Sequence, residues 1–229
     1  MKRDSGRKAA LSWAMYDWAN SAFATTVMAG FFPVFFNEYW SAGADTTVTT
    51  ARLGLANSIA GIAVALLAPV LGSIADSGSA RKRFLVFFAF MGALMTSSLW
   101  MVSRGDWMPA IFVFVLASIG FNGSIIFSDA LLVSVARPGE RERVSALGYG
   151  LGYLGGGLLF ALNVAMTLRP ASFGLPGPEA AVRLSFITVG AWWAVFTVPL
   201  ILFVKEKRSS GKPGIRLSLI HISEPTRPY

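Results

Sequence analysis

Cysteine is absent from this chain, and histidine occurs once, at His221 close to the end. Without thiols there is no disulfide frame, no thiolate nucleophile and no cysteine metal site. One terminal histidine gives histidine-dependent hydrolysis, haem ligation or zinc ligation almost nothing to work with. No phosphate-cradling glycine loop or Walker lysine occurs, so nothing here supports ATP-driven work. The sequence therefore points to no enzyme, no cofactor and no metal. Charge is scarce as well: 14% of the 229 residues are charged and 54% are hydrophobic. That balance places the chain among integral membrane proteins, where lipid does much of the burying. The net charge of +8 would suggest nucleic acid if it lay on a soluble face. Here the basic residues lie between apolar runs, where topology and anionic headgroups account for them, so lipid and not nucleic acid is the expected partner.

Six apolar runs read as membrane-spanning helices, over residues 13–36, 53–74, 84–102, 109–136, 144–168 and 184–204. Each is about 20 residues or more, enough to cross a hydrocarbon core of roughly 30 Å. The first run, which contains Asp17, is too long for the apolar core of a signal peptide. Segment 1–12 precedes the bundle and 205–216 forms a basic segment after it. Lys and Arg number four before the first run, three after the second, three after the fourth and five over 205–216, against four on the opposite side. The positive-inside rule then places both termini in the cytoplasm. Six spans with both ends on one side fit two three-helix units of opposite orientation, an inverted repeat that no residue-level similarity reveals.

Ionisable groups inside a span are costly, on the order of 2.5–3.5 kcal/mol at a helix centre, and so mark function. At 100° per residue, Asp17, Asn20, Ser21, Ala24 and Met28 share one face of the first helix. This stripe either lines a cavity or anchors the helix at the interface. Ser118, Asn122 and Asp129 share a face of the fourth helix, with Asp129 about 10 Å from the cytoplasmic end. Asp17 enters from the same side to a similar depth. The two carboxylates either meet in one cavity, which suits proton coupling, or make separate interhelical hydrogen bonds. Gly148, Gly152, Gly155 and Gly156 form one face of the fifth helix, with Asn163 further along it. Such a face lets helices approach closely, or slide. The third and sixth runs carry no internal charge and read as lipid-facing; Trp192 and Trp193 read as packing, and Pro199 as a bend.

Between the second and third runs lies a polar hinge, residues 72–83, with Gly72, Asp76, Gly78 and the cluster Arg81, Lys82 and Arg83. The pattern Gly72-x-x-x-Asp76 followed by the basic cluster resembles the loop between helices two and three of the major facilitator superfamily. Tyr16-Asp17-Trp18-Ala19-Asn20-Ser21-Ala22-Phe23 resembles the first-helix signature of that superfamily's vacuole-effluxer-like branch. Residues 144–148 with Gly152-Tyr153-Leu154-Gly155-Gly156 resemble the same branch's fifth helix. Ser77 and Ser79 stand where the loop pattern has a basic residue and a glycine. The resemblance implies an all-α integral membrane fold: one six-helix half, built as a 3+3 inverted repeat, of a twelve-helix transporter. It implies movement of a small solute, with amino acids suggested by the branch. It also implies that Asp76 acts as a gate against the other half.

The superfamily has twelve spans and this chain has six, so the expectation is the N-terminal half of a bacterial inner-membrane transporter, lacking its C-terminal partner. Residues 217–227 look like the translation of a sequencing-library adapter, and 217–229 are read as a non-native tail. Two other readings stay open: a non-transporting six-helix scaffold, and a six-span protein that pairs with itself to transport.

Overall fold

The computed structural model describes residues 2–77 and 80–206, with side chains from Gly6 onward, those of Asp76 and Ser77 excepted. Among these residues there is no strand. Six helices are long and apolar enough to cross a membrane: α1 (Gly6–Trp40), α2 (Thr46–Ala75), α3 (Arg81–Met101), α4 (Trp107–Val135), α5 (Pro138–Leu168) and α6 (Pro178–Phe203). The all-helical membrane fold read from the sequence is the fold of the chain. Every apolar run is a helix, and four of them begin more than five residues before the run does, because polar ends continue the helix past the apolar part. Local chemistry sets these starts. The Asp45 carboxylate accepts from the Thr47 N–H at 2.8 Å to open α2, and Pro178 opens α6 at the position where a missing N–H costs nothing. Gly105 turns the chain from α3 into α4 at φ 89°, a backbone that side chains resist.

The helices pack in a pattern that the span count only implied. α1 packs on α5 and α4 on α2; α3 packs on α4 and α6 on α1; α3 and α6 pack on each other. Exchanging α1–α3 with α4–α6 maps this set onto itself, which is the contact signature of two inverted three-helix units. The α5–α6 contact breaks the symmetry, since α2 and α3 make none comparable. Over its most apolar stretch α4 is 56% buried and α1 50%, while α2 is 17% buried. α6 is not simply a lipid-facing helix: Trp193 is fully buried and lies over Gly92 of α3.

At the end away from the termini, arginines and aromatic rings hold the loops. The Arg183 guanidinium donates to the Trp100 carbonyl at 2.7 Å, and Arg52 lies 4.3 Å over the Trp107 ring. Arg104 sits 5.6 Å from the Tyr39 ring. Each basic residue there that breaks the positive-inside count thus has an aromatic surface to hold it, Arg169 apart.

Candidate functional site

The site is built where α1 crosses α4 and α5. α1 runs antiparallel to α4, and polar pairs mark the register. The Trp13 indole donates to the Ser128 carbonyl at 2.7 Å. One turn further on, the Tyr16 hydroxyl is fully buried and accepts from the Trp193 indole at 3.4 Å, with Ser124 and Asn20 beside it. Beyond that, Phe23 packs on Phe121 with ring centroids 5.3 Å apart. In a medium without water such groups must satisfy one another, so this seam fixes both the spacing and the rotation of α1.

Asp17 lies one position round from Tyr16 and faces α5. A Cβ placed on Gly148 would strike the Asp17 carboxylate, and one on Gly152 would come within 2.6 Å of the Ser21 hydroxyl. At Gly155 it would meet the Trp18 ring at 2.5 Å, and at Gly156 the Ser21 carbonyl at 2.9 Å. The four glycines therefore clear the space in which Asp17, Trp18 and Ser21 sit. Asp129, on α4, lies within electrostatic reach of Asp17 and is itself exposed in this chain. The two carboxylates thus lie on neighbouring helices, with no hydrogen bond between them among the described residues. Asn122 stays on its own helix, donating to the Ser118 carbonyl at 2.8 Å.

Other predicted residues go elsewhere. The stripe on α1 divides: Asn20 is buried beside Tyr16, Asp17 and Ser21 turn to α5, and Met28 is exposed. The 100° spacing fails beyond Phe23 because residues Phe23–Phe31 and Phe36–Trp40 adopt π-helical turns, in which i→i+5 bonding changes the angle per residue. Pro33, which cannot donate and crowds the preceding turn, lies between them. Asn163 is fully buried on α5 and accepts from the Thr188 hydroxyl of α6 at 3.0 Å. It lies 15 residues from Gly148, roughly 22 Å along the helix, so it does not join the carboxylates.

The hinge shows a use that the sequence reading did not assign. The Lys82 ammonium donates to the carbonyls of Ile201 and Val204 at 2.6 and 2.7 Å, capping the carboxyl end of α6. The Arg81 N–H at the start of α3 donates to the Glu206 carboxylate at 2.8 Å, and the Arg81 side chain donates to the Ala75 carbonyl. Arg83 is exposed, and a Cβ on Gly72 would meet open space. Gly78, the Asp76 side chain and residues 207–229 lie outside the described parts, so neither the gate nor the tail can be placed.

Sequence reasoning missed Tyr16, Ser124 and Trp193, whose polar atoms meet only in three dimensions. It also missed the crossing of α3 and α4, where a Cβ on Gly120 would come within 2.6 Å of the Gly92 backbone. The signal present was glycine inside the apolar runs, Gly92 in the third and Gly120 with Gly123 in the fourth.

The family model described as vacuole effluxer Atg22 like matches residues 5–223, a range that runs past Arg216 into the segment set apart as a tail. An uncharacterized MFS-type transporter, YxiO, of Bacillus subtilis is 37% identical over 201 residues, covering 86% of this chain and 46% of the relative. An uncharacterized protein of Aquifex aeolicus is 25% identical over 206 residues, 90% of this chain and 48% of its own. Autophagy-related protein 22 of Pichia angusta is 24% identical over 183 residues, 66% of this chain and 32% of its own. The chain spans about half the length, or less, of these curated relatives, and no solved structure matches it. On the strength of a family match that covers nearly all of its length, this six-helix chain belongs to the vacuole effluxer Atg22-like family.

Proposed function

We propose that this chain is the N-terminal six-helix bundle of a secondary active transporter of the major facilitator type, which moves a small solute by alternating access. The observation that supports the reading is the seat of Asp17 on α1, held against the α5 glycine face and within electrostatic reach of Asp129 on the neighbouring α4. Two carboxylates in reach of one another at membrane depth are expensive to keep charged together. A proton that binds and leaves there makes the pair a coupling site, and Asp129, exposed in this chain, faces the space a second bundle would close. The small-residue face of α5 holds the Asp17 side at close range, so a change at Asp17 is passed to two neighbouring helices. Amino acids are the solute class the family resemblance favours. Both termini are cytoplasmic in this reading, and the membrane is the bacterial inner membrane. Asp76 gates against the second bundle.

The test uses a chain that carries both bundles, reconstituted in vesicles with an imposed proton gradient. Asp17→Asn and Asp129→Asn should each lower gradient-driven amino-acid uptake at least about tenfold, the effect of about 1.4 kcal/mol. Ordinary uptake in both variants would remove the carboxylates from the mechanism. The 229-residue chain alone should show no uptake, because rocking needs a second bundle.

A further inference from the structure

At the end of the bundle away from the termini, α1, α5 and α6 leave a cleft of about 390 Å³ between them. It belongs to no part of the carboxylate site. Its base is apolar and comes from spanning segments: Phe31 and Val34 of α1 and Phe160 of α5. Gly30 makes this base possible, since a Cβ there would come within 2.8 Å of the Phe160 ring and push it into the cleft. The rim is charged and comes from helix ends and a loop: Glu38, Arg104 and Glu179. Arg104 and Glu179 pair at 3.4 Å, yet their side chains remain 60% and 50% exposed. That pair is the one ion pair among the described residues, so Glu38 faces the cleft without a cation.

We infer that this cleft binds one membrane phospholipid with a primary-amine headgroup, its acyl chain on the Phe31, Val34 and Phe160 surface and its headgroup at the rim. The polarity of the cleft runs in the order of a lipid's own, apolar at membrane depth and charged at the helix ends. Charge selects the headgroup. Glu38, Glu179 and the Arg104 guanidinium face the cleft, and the Arg183 guanidinium lies 5.9 Å from the ring of Tyr39, which lines it, so the rim carries balanced charges of both signs. A zwitterion satisfies it: the ammonium donates to Glu38, and the phosphate accepts from the exposed part of Arg104. A choline headgroup has no N–H to donate. The volume lies within the range of small-molecule sites.

The test reconstitutes the full 229-residue chain in phosphatidylcholine vesicles that contain a trace of phosphatidylethanolamine with a photoreactive acyl chain. After illumination, labelled peptides should map to residues 30–39 and 160–167. Glu38→Gln should lower that labelling about tenfold, as loss of a hydrogen bond to a charged group does. Val34→Trp, which fills the slot, should lower it as well. Glu38 and Val34 are both exposed, so neither variant disturbs the packed core. Equal labelling by phosphatidylethanolamine, phosphatidylglycerol and phosphatidylcholine probes, or labelling unchanged in Glu38→Gln, would overturn the inference. Displacement of the probe by millimolar glycerophosphoethanolamine would also overturn it, by making this a site for a free solute; no displacement supports the lipid.

Discussion

Helices α1 and α2 are both long enough to span a membrane, and α2 is the more apolar, yet α1 is half buried and α2 is largely open. Lipid is as apolar as leucine, so hydrophobicity does not drive one helix onto another within a bilayer. What separates the two is what their side chains can lock onto. α1 carries Trp13 and Tyr16, whose side chains find polar partners on α4 and α6, and its Trp18 carbonyl accepts from the Trp192 indole of α6. α2 presents Leu55, Ile59, Ile62, Leu66 and Val70 to the outside, and a Cβ on Gly54 or Gly61 would meet nothing within 4 Å. In the proposed transporter, that open face is where a second bundle rests.

Substitutions that fill space should break the comparison most sharply. Gly120→Val drives a side chain into the Gly92 backbone, and should cost about 3 kcal/mol or more. The readout is loss of monodisperse protein in detergent. Gly152→Leu pushes against Ser21 on the α1–α5 seam and should cost about 1–3 kcal/mol, measured as a lowered thermal midpoint. Tyr16→Phe keeps the ring and removes the acceptor of the Trp193 indole; a loss of about 1–3 kcal/mol is expected from that stranded N–H. Lys82→Met uncaps α6, and about 1 kcal/mol should go with the charge at the helix end. Gly61→Val on α2 should stay within about 0.5 kcal/mol of the parent chain, because it meets open space. A large destabilisation from that last change would mean that α2 is already covered in the 229-residue chain. In a chain with both bundles, the same change should lower uptake.

Much of the membrane architecture was legible in order and number. Apolar runs of 20 residues cannot form anything but helices in lipid, since every backbone group must bond within its own segment. Of the candidate site, Asp17 and Asp129 were legible because charge at membrane depth is rare, and the α5 glycines because their spacing puts them on one face. Asn163 was a fair candidate by the same reasoning, but its partner Thr188 sits on a helix whose rotation no helical wheel supplies. The stripe on α1 was computed at 100° per residue, and the π-helical turns after Ala22 spoil that arithmetic. Lys82 read as a topological charge, and its second use depends on where α6 ends in space.

By itself, the sequence determined that the chain is a series of six membrane helices, that it holds no cysteine and one histidine, and that two acidic residues lie within the apolar runs. Those results follow from local physics: desolvation of the backbone, desolvation of charge, and the rise of a helix. Only the tertiary structure decided which faces meet. It put Tyr16 against Trp193, the α5 glycines against Asp17 and Ser21, and Lys82 under α6, and it left one face of α2 open. Those choices depend on contacts between residues more than a hundred positions apart, and in lipid such contacts are settled by shape and by paired polar atoms, which no apolar run records.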